Sequence, residues 1–233
     1  MPKIDRVAHV KNLMDHDLSF YTPGAVIAGM DEAGRGPLVG NVVTACVVMP
    51  LDSEPILWID DSKKLSESRR EKVFDEIMEK ALYIGIGQAS PAEIDSVNIL
   101  QATKNAMRSA ASQVPASVFL IDAVKNLGLS GQEIPLIHGD ALSYNIAAAS
   151  IVAKVTRDRQ LKELDERYPM YGFIRNKGYG TKALLMLIDK YGCNNLWVKD
   201  DNERAKHVYK KCGFELKKPT VYLMGRGCQN ETD

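Results

Sequence analysis

Net charge is the first thing this sequence lacks. Thirty Lys plus Arg face thirty Asp plus Glu, for a formal net charge of +0, so any grip on a polyanion has to come from local clustering rather than from a global field. Paired cysteines are also missing. Cys46, Cys193, Cys212 and Cys228 form no C-x-x-C pair and have no histidine at ligand spacing, which argues against a structural zinc site. The opening Met1-Pro2-Lys3-Ile4-Asp5 has no signal-peptide pattern, so reduced thiols in a cytoplasmic protein are expected. No apolar stretch approaches the ~18 residues of a membrane span; the best candidate, Ile146 to Val155, is interrupted by Ser150 and Lys154. A soluble protein with no membrane partner is expected. There is no internal repeat and no low-complexity tract.

What the sequence does have is 45% hydrophobic and 26% charged residues over 233 positions, enough for one main domain with an appendage. Strand-like and helix-like runs alternate, the pattern of a mixed α/β sheet with flanking helices. Val26 to Met30 reads as a buried strand ending at Asp31, Val42 to Val48 as its neighbour, and Leu82 to Ile86 as a third strand. Ser66 reads as the N-cap of a helix over Glu67 to Ala81, with Val73, Phe74, Ile77 and Ala81 on one stripe. A helix beginning at Asn98, a short strand Val118 to Ile121 ending in Asp122, an apolar run Ile134 to Ile137 leading to Asp140, and a helix over Tyr144 to Arg167 follow.

Three strand exits therefore carry four acids: Asp31 and Glu32 ahead of the turn Gly34-Arg35-Gly36, then Asp122 and Asp140. Taken singly, an Asp after a strand is often a turn former or helix cap. Taken together, converging carboxylates raise one another's pKa unless a cation offsets the charge. Hard divalent ions, Mg2+ or Mn2+, suit carboxylate oxygens and keep waters for a phosphate substrate. A pair of them supports phosphodiester hydrolysis.

These acids sit in motifs. Gly29-Met30-Asp31-Glu32-Ala33-Gly34-Arg35-Gly36-Pro37-Leu38, Asp61-Ser62-Lys63-Lys64-Leu65, Leu120-Ile121-Asp122-Ala123, Gly139-Asp140-Ala141, the run Ala148 to Asp158, and Lys177-Gly178-Tyr179-Gly180-Thr181 together resemble the ribonuclease HII family, over about residues 24–182. The resemblance implies an RNase H-like fold and an endonuclease that cuts the RNA strand of RNA/DNA hybrids and nicks 5′ of ribonucleotides in duplex DNA. It implies that Asp31, Glu32, Asp122 and Asp140 hold two metal ions. It also implies that the Gly34-Arg35-Gly36 backbone reads a ribose 2′-hydroxyl, that Tyr179 stacks on the sugar at the RNA-to-DNA junction, and that Lys63, Ser150 and Lys154 contact phosphates. Ser150 and Lys154 have a plain alternative as helix interior and apolar stem. A monomer is expected.

Past Lys182 the family's usual motifs give way. Leu196-Trp197-Val198, Asn202-Glu203-Arg204-Ala205, Tyr209-Lys210-Lys211, Gly213-Phe214-Glu215 and Tyr222-Leu223-Met224 resemble the closing half of a GNAT acetyltransferase. The reading is a ribonuclease domain over 1–182 followed by a small α/β segment over 183–233, as in a chimera. The octet Arg175 to Lys182 fits both families, as a pyrophosphate cradle R-x-x-G-x-G or as a nuclease loop. A GNAT places a strand before that cradle, whereas Tyr168 to Ile174 contains Pro169 and Gly172, so the octet is assigned to the nuclease. An acetyl-CoA-binding remnant, with Asn202 and Tyr209 at cofactor and general-acid positions, and a catalytically impaired hybrid-binding module are the alternatives. Structural cover is the expected role of the tail, because Leu184, Leu185, Leu187 and Ile188 form an apolar helical face.

Overall fold

The computed structural model describes residues 5–60 and 62–180 and, beyond them, 195–198, 206–207, 210, 215–217 and 222–225. The chain divides into two compact units, Met1–Arg35 with Asn41–Arg159, and Gly36–Gly40 with Gln160–Asp233.

The first unit is built on a five-stranded sheet of order β3-β2-β1-β4-β5, formed by β1 (Ile27–Ala33), β2 (Val42–Val48), β3 (Tyr83–Ala89), β4 (Val118–Asp122) and β5 (Gln132–Leu136). β1 pairs antiparallel with β2 and parallel with β4, in the register Met30↔Ile121. The carboxyl ends of β1 and β4 therefore emerge side by side, and both carry acids. Two helical layers cover the sheet. On one face lie α1 (Arg6–Leu18), α2 (Glu67–Lys80) and α5 (Tyr144–Arg167). There Val10, Leu13, Val73, Phe74, Ile77 and the small run Ala147–Ala149 bury the outward side of Ala45 and Val47. On the other face α4 (Ile99–Ala111) packs Met107 and Ala110 against Ala28, Met30, Cys46 and Ile121. Cys46 is a free thiol in this layer, and burial pushes its pKa up to about 12.

Close packing of α5 is written into one residue of β1. A Cβ on Gly29 would lie 2.1 Å from the carbonyl carbon of Asn145 and 2.2 Å from the amide of Ile146, so the first turn of α5 rests directly on the strand. Odd-numbered residues of β1 thus face α5, and Ala28 and Met30 face α4.

Most expected elements occur, with four differences. β1 continues through Asp31 and Glu32 to Ala33, rather than ending at Asp31. β3 runs on to Ala89, past Gly85, Gly87 and Gln88, which carry no apolar alternation. A short helix α3 (Pro91–Val97) precedes α4, opened by a capping box between Ser90 and Glu93. The helix α1, capped by Asp5 at the amides of Val7 and Ala8, has no counterpart in the sequence reading. The apolar face of Leu184, Leu185, Leu187 and Ile188 lies outside the described residues, and of the segment 202–212 only positions 206, 207 and 210 are described, all helical. Leu196-Trp197-Val198 lies in β6 (Asn195–Val198), which pairs antiparallel with β8 (Tyr222–Gly225), and β8 pairs with β7 (Glu215–Lys217). Among the described residues no helix is long and apolar enough to cross a membrane.

The last turn of α1 anchors α5. Asp17 is fully buried, and its Oδ2 accepts the amide of Asn145 at 2.9 Å, while Asn145 Oδ1 accepts the amide of Met49 at 2.7 Å. Burial pushes the Asp17 carboxyl up from 3.8 to about 6, against the opposing hydrogen bonds of Ser143 and Asn145 and the neighbouring His16. A carboxyl whose value is higher folded than unfolded favours folding fully below its unfolded value, and that contribution is lost as pH rises through the folded value. Asp17→Asn keeps an acceptor for Asn145 and cannot ionise. Between pH 4.5 and 7.5 the variant is expected to gain on the parent by about 2 kcal/mol, within the ~3 kcal/mol such a shift allows. Urea unfolding at the two pH values checks this, and parallel pH dependences would refute it.

Candidate active site

Asp31 lies near the end of the central strand, on the face turned to α5. It is 5% exposed, and its Oδ1 accepts the amide of Glu32 at 2.7 Å. Its carboxyl is held well above the usual range, first by burial and then by the charges of Glu32 and Asp122; the Glu32 amide and the Ser150 hydroxyl oppose the shift. Three of the four expected acids are therefore within electrostatic reach of one another. The fourth follows from the turn after β5. Gly139 donates its amide to Asp122 Oδ1 at 2.8 Å, and the 3-10 turn Gly139–Ala141 that begins there carries Asp140, which is buried.

The acids do not form a single-ion cage. Among the described residues no three His, Cys, Asp or Glu side chains gather closely enough to hold one ion. Strand geometry explains part of this, because Asp31 and Glu32 are consecutive and leave opposite faces of β1. Cations also sit on two of the acids, with Arg35 Nη1 3.1 Å from Glu32 Oε1 and Lys63 Nζ 3.9 Å from Asp140 Oδ2. The donor set still suits a hard divalent cation. It offers only carboxylate oxygens, with no sulfur or imidazole among the four. It also sets the buried Asp31 carboxyl in the field of Glu32 and Asp122, a cost that positive charge removes.

Ser150 and Lys154, one turn apart on α5, have different surroundings. Ser150 is buried; its hydroxyl bonds Asp31, and its Oγ lies 2.9 Å from Ser62 Oγ, within hydrogen-bond distance. Lys154 Nζ instead lies 2.7 Å from Asp158 Oδ1, and burial lowers its pKa against the pull of that partner. Lys63 is exposed and beside Asp140. Its loop is pinned from α2 by Arg70, which donates to the carbonyls of Ser62 at 2.8 Å and Leu65 at 2.9 Å. Asp61 lies outside the described residues.

The turn after β1 has a built floor. Gly34 adopts φ +111°, and a Cβ there would meet Asn41 O at 2.5 Å and Arg157 Nε at 2.6 Å. Only glycine fits both the backbone region and the space. Arg157, almost completely buried, donates from Nε to that same Asn41 carbonyl at 3.1 Å.

In the second unit, Gly36 and Tyr179 come together. The Tyr179 ring lies 3.4 Å from where a Gly36 Cβ would be, and the amide of Leu38 donates to Gly178 O at 2.8 Å. The segment before this loop is a 3-10 turn, Pro169–Tyr171, and a one-turn helix α6 (Phe173–Asn176), with Leu38 and Val39 packed about Leu161 and Phe173. No strand precedes the glycines, so the acetyl-CoA cradle has no support here. Asn202 and Tyr209 are outside the described residues. Ser62, Arg70 and Arg157 are the site's supporting residues that sequence reading gives no role. Ser62 and Arg157 lie within recognised motifs and Arg70 does not; the arginines act through backbone carbonyls, which leave no local pattern.

A mixed sheet with acids at the carboxyl ends of two parallel central strands, and a third strand exit delivering another, defines an enzyme of the RNase H-like class. Known proteins narrow this. A family model described as Ribonuclease HII matches residues 28–212. The ribonuclease HII of Ruminiclostridium cellulolyticum is 56% identical over 168 residues, 71% of this chain and 66% of that protein, just under two thirds of its length. The ribonuclease HII of Shewanella oneidensis is 49% identical over 193 residues, 80% of this chain and 91% of the other. Among solved structures, the ribonuclease H2 of Pyrococcus horikoshii OT3 superposes with a TM-score of 0.61 at 26% identity, covering 71% of this chain and 86% of that one. The RNase HII of Archaeoglobus fulgidus, solved in a complex with PCNA, gives 0.61, 26%, 71% and 88%. The chain belongs to the ribonuclease HII family, hydrolases that act as endonucleases on RNA strands.

Proposed function

We propose that this enzyme cuts the RNA strand of RNA/DNA hybrids and nicks duplex DNA on the 5′ side of an embedded ribonucleotide, with Asp31, Glu32, Asp122 and Asp140 holding two Mg2+ or Mn2+ ions. The observation that carries the reading is the buried Asp31 carboxyl near the end of the central strand, held well above its usual range by burial and by the charges of Glu32 and Asp122. Charge crowding of that kind persists in a fold when a cation is its working partner. The chemistry supplied by a bound pair of such ions is activation of water and neutralisation of charge on the leaving oxygen.

The chain's own residues do the rest. Ser150, backed by Ser62, fixes the rotamer of Asp31, and the Gly139 amide fixes that of Asp122. The Gly34-Arg35-Gly36 backbone, with no side chain in the way at either glycine, approaches the ribose closely enough to bond its 2′-hydroxyl, the one group that separates RNA from DNA there. Tyr179 stacks on the adjoining sugar, and Lys63 and Lys154 take phosphates, Lys154 by exchanging Asp158 for the substrate. We read residues 1–182 as the catalytic domain and 183–233 as a C-terminal segment appended to it. A family match running to residue 212 favours that appendage over an acetyltransferase remnant. A cytoplasmic monomer is the form proposed.

Incubation with Mn2+ and a labelled duplex carrying one ribonucleotide is expected to give a single nick 5′ of that ribonucleotide. An all-DNA duplex is expected to stay intact. Cleavage of both, or of neither, would overturn the reading.

A further inference from the structure

Trp58 carries a guanidinium on each face. Arg6 Cζ lies 3.4 Å from the ring centroid and Arg69 Cζ 3.8 Å. Two such groups that close to one centroid overlap if they share a face, so they flank the ring, roughly 7 Å apart, at cation–π contact distance. Among the described residues neither guanidinium pairs with a carboxylate. Stacking engages a guanidinium through its flat face and leaves the N–H donors at its edge directed outward. Arg69 is exposed and Arg6 half-exposed, while Trp58 packs on the core formed by α1, α2 and α5.

The sandwich is firmly mounted. Arg6 belongs to the first turn of α1 and Arg69 to the first turn of α2, where its amide bonds the Ser66 cap at 3.3 Å. Asp60, two residues past the tryptophan, takes Lys64 Nζ at 3.1 Å and His9 Nε2 at 3.7 Å, tying the loop back to α1. The same loop then delivers Lys63 to Asp140. Five residues of chain span at most about 18 Å; with the reach of the side chains at both ends added, the sandwich lies within roughly one turn of duplex of the acids, at about 3.4 Å of axial rise per phosphate.

We propose that Arg6 and Arg69, held apart by Trp58, form a clamp for consecutive backbone phosphates of the duplex beside the cleaved bond. This extends the nucleic-acid surface beyond the site described above and rests on the ribonuclease reading. The clamp reads no bases; it fixes register and adds a salt-dependent share of affinity.

The test measures binding of a fluorescein-labelled 20-base-pair duplex with one central ribonucleotide by anisotropy, in EDTA and over a salt series, so that no cleavage is needed. The Arg6→Gln/Arg69→Gln double variant is expected to bind about tenfold more weakly, with a log Kd versus log salt slope lower by about 1.8, or about 0.9 per lost phosphate contact. Its kcat with Mn2+ at saturating substrate is expected to match the parent's. Trimming the duplex to two base pairs on one side of the ribonucleotide is expected to abolish the difference between parent and variant, and trimming the other side is not. Equal Kd and equal slope for parent and variant would overturn the clamp. So would a loss confined to kcat. Should the double variant lose its cooperative melting transition, the exposed single variant Arg69→Gln carries the same test, with a slope change of about 0.9 expected and no change overturning the proposal. A parent that binds with these properties yet never nicks would sink the ribonuclease reading and leave the clamp standing.

Discussion

Asp31→Asn is expected to abolish cleavage and at the same time raise the melting temperature of the metal-free protein. The activity loss should reach about 10^3-fold or more in single-turnover cleavage of the one-ribonucleotide duplex, the upper scale for removing one preorganised electrostatic group. Stability moves the other way for a reason visible in the fold. Asp31 is buried, its carboxyl is shifted well upward by burial and by Glu32 and Asp122, and ionising it in the folded chain costs stability. Asparagine keeps an acceptor for the Glu32 amide and carries no charge. A gain of roughly 3 to 8 °C in EDTA is expected, at about 2 to 4 °C per kcal/mol for a chain of this size. Calorimetry and the cleavage assay decide it together. A variant that is inactive because it is less stable, or one that retains activity within tenfold of the parent, would remove Asp31 from the role assigned to it.

Gly29→Ala is expected to be among the most damaging single methyl additions in the first unit. Its Cβ would meet backbone atoms only, with Asn145 O at 2.4 Å in addition to the carbonyl carbon and the Ile146 amide. No rotamer change relieves such a clash, so α5 must lift from β1. Lifting α5 draws the Asn145 bonds to Met49 and Asp17, and the Ser150 bond to Asp31, out of register. A loss of about 3 to 5 kcal/mol in chemical denaturation is expected, the range of severe core overpacking. Gly24→Ala is the control: φ is +84° there with nothing within 4 Å of a Cβ, so only backbone strain of about 1 kcal/mol applies. Equal effects for the two variants would show that α5 accommodates the methyl group.

How much of this is legible in the sequence depends on how local the cause is. Asp122 can be found because an apolar β-branched run ends at it, and α2 and α5 can be bounded because Ser66 caps one and Tyr168-Pro169 stops the other. The acid set follows from strand exits and from motifs that span most of the first unit. Other features have causes distant in sequence. Asp17 reads as one more polar residue of an unremarked segment until Asn145, 128 positions later, supplies its partner. Arg157 looks like surface charge, yet its Nε is spent on the carbonyl of Asn41, 116 positions earlier, and only the folded chain brings that loop to it. Glu32 differs in another way. The pleat of β1 sends its side chain and that of Asp31 to opposite faces, so its place beside Asp31 in the proposed site comes from the motif and not from strand periodicity.

The contact between Asp17 and Asn145 also sets an order of events at birth. Helix α1 leaves the ribosome well before α5, and the amide that its buried carboxylate receives is made 128 residues later. At translation speeds of 5 to 20 residues per second that is a wait of roughly 6 to 26 s. Throughout it the apolar stripe of Val10, Leu13 and Met14 has no α5 to rest on, and the nascent chain must carry that surface uncovered until its longest helix arrives.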